Sequence, residues 1–316
     1  MTLIFFLQLA LPLFLIGWIG FAPSKSTLGF GCQAVGVAAG LFALALTGLW
    51  LFPPWWTSYA FAGLWVVAVF FGWRRRFPFA SQLPTGWIAW IFTAAFTALG
   101  GWGVYQSLNA LAGRAPQADA MVDLAFPLKD GEYLVVNGGS NLSVNPHLMT
   151  LDASIPRFHA YRGQSYGVDI VKLDRWGLRA SGLLPPEPNA YNIYGALVYA
   201  PCTGEVVAAL DGLPDMQVPQ VDRAHIAGNH VLLRCKDADV LLGHFKRGSL
   251  RVKVGDQVTV GSRIAEVGNT GNSSEPHLHI HTQRAGTASE PLSGDPLPIR
   301  LSGRFLVRND RVPMPE

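Results

Sequence analysis

The chain has 316 residues, of which 50% are hydrophobic and only 14% charged, against about 25% charged in an ordinary soluble domain. That composition excludes a wholly soluble protein of ordinary make-up. Residues 1–113 carry only Lys25, Arg74, Arg75 and Arg76; removing these four from the 24 basic residues leaves 20 against 21 acidic, so the remainder has no basic excess with which to hold nucleic acid.

Four apolar runs come first, at about 2–22, 29–52, 57–73 and 87–111. Each is near the ~20 residues that cross a bilayer core, so residues 1–111 are expected to form a four-helix transmembrane region. Turn chemistry separates the runs: Pro23-Ser24-Lys25-Ser26, Pro53-Pro54 and Arg74-Arg75-Arg76-Phe77-Pro78. Nine of the ten Trp lie here, the exception being Trp176, as expected of side chains that favour membrane interfaces. No Lys or Arg precedes the first run and more apolar sequence follows it, which makes a cleaved signal peptide a poor alternative. The positive-inside bias puts the Arg74–Arg76 and Lys25 loops in the cytoplasm, so both ends of a four-span region face outward. No Asp, Glu or His lies within a run, which favours an anchor over an ion path.

Residues 112–125 lack apolar periodicity and are expected to be a linker. A β domain at 126–300 and a C-terminal tail at 301–316 follow. Short β-branched runs between Gly, Pro and Asp turns predict strands at Tyr133–Val136, Gly167–Val171, Ala196–Tyr199, Glu205–Ala209, His230–Leu233, Val240–Leu242, Leu250–Val254, Arg263–Val267 and Leu278–Thr282. Nothing between them has the period of a long amphipathic helix, so the domain is expected to be all-β, with inserted loops at 148–162 and 178–193.

All eight His lie in this domain, and three alternate in Pro276-His277-Leu278-His279-Ile280-His281. Alternate residues of a strand share a face, so the three imidazoles can line one site while Leu278 and Ile280 pack behind. Imidazole is the commonest metal ligand in proteins. An exposed polar stripe is the plain alternative, and the turn-rich Gly268–Pro276 that delivers the strand argues against it.

The stretch Val267-Gly-Asn-Thr-Gly-Asn-Ser-Ser-Glu-Pro-His-Leu-His279 resembles the signature of lysostaphin-type (LytM-like) zinc metallopeptidases, which cut peptide bridges in bacterial cell walls. Further blocks recur in the family's order: Gly195–Val206, Gly228–Leu233, Leu242-Gly-His244-Phe and Val254–Gly261. The resemblance covers about residues 130–285. It implies an antiparallel, barrel-like metallopeptidase fold built on the family's hybrid motif, with Zn2+ as cofactor. Carried over by residue, it implies Asp169 and His279 as metal ligands, with His244 and His277 catalytic. The family commonly has a His four residues before the Asp, but Ser165 stands here. The first ligand then comes from His147 or His159, with His147 favoured and 148–162 read as an insertion, or it is missing.

Two imidazoles and a carboxylate leave zinc an open fourth position, as catalytic sites require. No His-Glu-x-x-His helix is present to supply a glutamate base, so His244 and His277 would serve for proton transfer and oxyanion stabilisation. Glu275 reads as a loop acid. His281 is either an outer partner of the site or simply exposed, and His225 and His230 have no motif support. Gly167 would allow close backbone approach beside Asp169, and Asn137 would help hold the early loop. Cys202 and Cys235 can pair in an oxidising compartment; Cys32 lies in an apolar run and cannot readily meet them.

The expectation is a membrane-anchored zinc endopeptidase hydrolysing peptidoglycan peptide stems, multi-pass in the bacterial inner (cytoplasmic) membrane, with its catalytic domain periplasmic. The alternative is a catalytically degenerate LytM-like domain that binds cell wall or activates another murein hydrolase. A third is a membrane sensor or assembly factor that docks through its β domain. The sequence leaves the bond cut open between a D,D-cross-link and a glycine bridge, and names no protein partner.

Overall fold

The computed structural model describes residues 5–76, 81–116, 121–236, 238–286 and 292–314. The chain divides into two compact units, Met1–Leu111 and Ala112–Glu316.

The first unit is helical. A π-helical turn at Phe6–Ala10 runs into α1 (Leu11–Phe21), followed by α2 (Thr27–Thr47), α3 (Thr57–Arg76) and α4 (Trp87–Ala112). Ser26 caps α2 by accepting a hydrogen bond from the Gly29 amide at 3.0 Å. A Cβ at Gly36 of α2 would lie 2.2 Å from the Phe96 carbonyl oxygen of α4, so only glycine lets those two helices approach this closely. The unit's own apolar core includes Ile16, Phe30, Val37, Phe61 and Phe96.

The expected four crossings are not all supported. Among the described residues, Thr27–Thr47 and Trp87–Ala112 are the two helices long and apolar enough to span a bilayer. The described part of the first helical stretch, Phe6–Phe21, is shorter, at about 1.5 Å of rise per residue against a core of about 30 Å. The helix Thr57–Arg76 devotes its last turn to Arg74, Arg75 and Arg76.

The second unit is all-β. Its strands are β1 (Val122–Leu124), β2 (Gly131–Asn137), β3 (Val168–Leu173), β4 (Leu197–Tyr199), β5 (Gly204–Leu210), β6 (His230–Cys235), β7 (Ala238–Gly243), β8 (Gln257–Val258), β9 (Arg263–Glu266), β10 (Leu278–Gln283), β11 (Pro296–Leu297), β12 (Ile299–Leu301) and β13 (Arg311–Met314). One antiparallel sheet has the order β13-β2-β3-β10-β7-β6-β5-β8, with β11 also paired to β10. Two small pairs, β1–β12 (parallel) and β4–β9 (antiparallel), stand beside it.

Three expectations need correction here. The sheet is open, with β13 and β8 as its edges, rather than closed into a barrel. Leu250–Val254 forms no strand: it is irregular chain ending in a turn, and Val254 is exposed. The insertion at 148–162 is not plain loop: apart from residues 152–155 it belongs to two 3-10 segments, Pro146–Leu151 and Pro156–Tyr166. Within the expected linker and tail, Val122–Leu124 and Arg311–Met314 are strands.

Side-chain parity explains what the sheet presents. Val168, Ile170, Val231, Leu233, Val240, Leu242, Leu278 and Ile280 enter one hydrophobic core, each contributing about 1.5–3 kcal/mol by burial. The residues between them in β3 and β10, notably Asp169, His279 and His281, necessarily point to the other face.

Candidate metal centre

β10 lies between β3 and β7. His279 is paired with Asp169 on one side and with Gly243 on the other. Three strands therefore deliver Asp169, His279 and, one residue past Gly243, His244 to one place.

His244 has φ +64°, a left-handed conformation uncommon for a residue with a side chain. It is held there by its amide donating to Ala227 O and its carbonyl accepting from Gly268 N, both at 2.9 Å. A Cβ at Gly167 would come within 2.6 Å of His279 Cε1, so glycine at that position leaves room for the imidazole.

The side chains converge. His279 Nδ1 is 2.8 Å from Asp169 Oδ1, His147 Nε2 is 3.4 Å from Oδ2, and His277 Nε2 is 3.5 Å from Oδ1. One potential ligand atom from each of His147, Asp169 and His279 lies within 4.8 Å of the others. The His244 ring is centred 4.6 Å from that of His277 and 5.9 Å from that of His279. His159 is elsewhere, exposed, with Nε2 3.3 Å from Ala153 O.

Hydrogen bonds select the tautomers. Asn145 Nδ2 donates to Gly139 O at 3.0 Å and Gly167 O at 3.2 Å, so its Oδ1 is left to accept from His147 Nδ1 at 2.9 Å. His244 Nδ1 donates to Thr270 O at 2.8 Å, and His277 Nδ1 to Glu275 O at 2.9 Å. In all three the Nε2 lone pair is thereby free for a cation or a proton. His279 is reversed: Nδ1 faces Asp169, while Nε2 lies 2.9 Å from Nδ1 of His281. His281 is buried, not exposed.

Burial pushes His147 down to about 4 against the opposing charge of Asp169. It also holds His244 well below the ordinary histidine value, with His277 and His279 adding to the effect. These two imidazoles are neutral at pH 7, the form that ligation and base catalysis need. Burial alone would raise the pKa of Asp169, but His147, His277 and His279 together hold it well below the usual carboxylate range. The imidazoles of His147 and His279 with the Asp169 carboxylate make a donor set that suits zinc, and three protein donors are the number found in catalytic sites.

An outer ring of residues fixes this set. Asn137 Nδ2 donates to Asp169 Oδ2 at 2.8 Å, and Arg308 Nη2 donates to Asn137 Oδ1 at 2.8 Å. Burial lowers Arg308 to about 10, with Asp169 opposing the shift. Arg179 grips Glu275 through Nε at 2.8 and 3.0 Å, steadying the residue whose carbonyl orients His277. Ser273 Oγ bonds Asn269 and Glu275 O in the same loop. Asn145, Arg308 and Arg179 carried no sequence signal, because neither spacing nor residue type marks a lone polar residue as an outer partner.

The remaining sequence candidates fall outside the cluster. His225 is exposed and pairs with Asp222 at 2.7 Å, and His230 Nδ1 bonds Gly228 O at 2.7 Å. Glu275 is structural, through Arg179. The cluster opens into a cavity of about 690 Å³. The insertion at 148–162 lines it through Arg157, Phe158 and Tyr161, whereas no residue of 178–193 does.

Residues 191–291 match the model of Peptidase family M23. That segment includes His244, His277 and His279; His147 and Asp169 precede it. Endolysin 2638A of Staphylococcus phage 2638A is 33% identical over 87 residues, which is 27% of this chain and 17% of the endolysin, so the chain spans under a fifth of that relative's length. Among solved structures, the catalytic domain of the antimicrobial peptidase lysostaphin from Staphylococcus simulans is 25% identical, covering 40% of this chain and 71% of that one, with a TM-score of 0.26. A zinc-containing peptidase from Vibrio cholerae is 23% identical over 35% of each chain, with a TM-score of 0.23.

Proposed function

We propose that the chain, whose residues 191–291 match the model of Peptidase family M23, is a membrane-anchored zinc endopeptidase hydrolysing peptide cross-links of bacterial peptidoglycan through a LytM-type domain. The observation that carries the reading is the convergence of His147, Asp169 and His279 beside His244 and His277 at one cavity. His147, Asp169 and His279 would hold the metal. Zinc so held would supply water activation and a Lewis acid for the peptide carbonyl.

The remaining chemistry belongs to the chain. His244 and His277, with Nδ1 protonated by their backbone bonds, present Nε2 to the cavity as proton acceptors. One would take the proton of the attacking water, steady the developing oxyanion as the imidazolium so formed, and return the proton to the departing amine, while the other orients the water through its Nε2 lone pair. Asp169 stays ionised throughout.

Anchoring rests on Thr27–Thr47 and Trp87–Ala112, with α1 and α3 as further crossings in the four-span reading. A disulfide in the β unit and the positive-inside bias both support placing that unit outside the cytoplasm of a multi-pass inner-membrane protein.

The test is elemental analysis of the purified full chain together with release of muropeptides from sacculi. Zinc binding and release are expected in the parent, and loss of both in His279→Ala. A metal-free parent, or a His279→Ala protein as active as its parent, would refute the reading. A wall-binding, non-hydrolysing member is the outcome if sacculi are bound but not cut.

A further inference from the structure

The cavity at the metal centre is electrically one-sided. Its lining contains two guanidinium groups, Arg157 and Arg223, and one acid, Asp169. Asp169 is already engaged on both oxygens, by His279 and by Asn137. The two arginines come from separate parts of the fold: Arg157 from the 3-10 segment Pro156–Tyr166, and Arg223 from the connection between β5 and β6. Both are exposed, and among the described residues neither has an acidic partner. Arg157 only lies over the ring of Phe158, at 5.1 Å.

Arginines scattered on a convex surface would mean little. Two in the cleft that holds the reacting groups, with Asp169 the one acid among the described lining residues, focus a positive potential where substrate must lie. A guanidinium presents a planar fork matched to a carboxylate. We infer that Arg157 and Arg223 are specificity-determining residues, and that the peptide arm entering this site carries a free carboxylate close to the amide that is cut. The inference rests on the endopeptidase reading and narrows it. A cross-link built from a diamino acid with a free carboxyl group fits this cavity, whereas a bridge of glycines, uncharged along its length, gives the two cations nothing to bind.

The test uses the full-length zinc-loaded protein and three synthetic branched peptides: one with a free carboxylate beside the scissile amide, its carboxamide twin, and an all-glycine bridge. The parent is expected to cut the carboxylate peptide with kcat/KM at least about tenfold above the carboxamide, since charge-assisted hydrogen bonds are worth about 1.5–3 kcal/mol. Arg157→Gln and Arg223→Gln should each lower that ratio, the double variant should bring it near unity, and about 0.5 M salt should shrink it in the parent. Equal rates on the carboxylate and carboxamide peptides, or variants that slow both alike, overturn the inference while leaving the endopeptidase reading in place. Should no peptide be cut, fluorescence anisotropy of the same labelled peptides decides: a carboxylate preference that the double variant abolishes upholds the role of the arginines, and equal affinities overturn it.

Discussion

Asp169 and His279 stand directly opposite each other in the antiparallel register of β3 and β10, and their side chains meet at 2.8 Å. The backbone ladder thus sets the spacing of two donors before any cation arrives, as precise metal sites require. Asp169→Asn keeps the shape and removes the charge. Its zinc affinity is expected to fall by more than the 10- to 100-fold typical of losing an outer partner, with the sheet still folded. Titration against a chromophoric chelator, alongside circular dichroism, checks both halves.

Asn137 connects Arg308 to Asp169. Asn137→Ala is expected to weaken zinc binding by about 10- to 100-fold, because Asp169 Oδ2 loses the donor that orients it. The same chelator titration reads the effect, and an unchanged affinity would remove Asn137 from the site.

Arg179 and Glu275 form a largely buried pair in which Nε of the arginine donates to both carboxylate oxygens, the side chains being 3% and 12% exposed. Removing one partner strands the other, at about 3–5 kcal/mol. Arg179→Met should therefore lower the Tm more than the double change Arg179→Met, Glu275→Leu. Because Glu275 O orients His277, kcat should fall in the single variant while zinc content holds. Calorimetry and steady-state rates separate the two effects.

Cys202 and Cys235 are joined, their Cα atoms 6.0 Å apart and 33 residues apart in sequence. Closing a loop of that length restricts the unfolded chain by about 3–4 kcal/mol. The double variant Cys202→Ser, Cys235→Ala should lose stability of that order, seen as a lower denaturation midpoint, and reductant should have no effect on it.

His230 gives a pH dependence away from the metal ligands. Burial lowers its pKa below the ordinary value, partly offset by its bond to Gly228 O. The unfolded chain therefore takes up a proton near pH 6.5 that the folded chain refuses, so stability is complete above that pH and declines as pH falls toward the folded value. His230→Gln should flatten this slope between about pH 7 and 5, measured by hydrogen exchange at Leu232 and Leu241.

The alternation of His277, His279 and His281 with Leu278 and Ile280 made β10 legible, since period two in a strand sorts faces without ambiguity. β7 was legible for a different reason: the strand is buried throughout, and its Val240-Leu241-Leu242 stretch is wholly apolar. Leu250–Val254 showed the limit. Its β-branched residues mimic a strand, yet the chain there makes no ladder, and composition cannot report a missing partner. His147 and Ser165 showed another, because an insertion between a ligand and Asp169 leaves no fixed spacing between them. Of the four expected spans, two have described helices long and apolar enough to cross a bilayer; apolar length and helix length diverge at Phe6–Phe21 and at the arginine-ended helix Thr57–Arg76.

Because β10 is flanked by β3 and β7 well inside the sheet, His279 cannot leave its place by fraying of an edge. A cation gripped there would come and go through the open cavity while the backbone carrying its donors stays in place. Stripping and reloading the centre should then leave amide protection in the central ladder intact, with no refolding between one ion and the next.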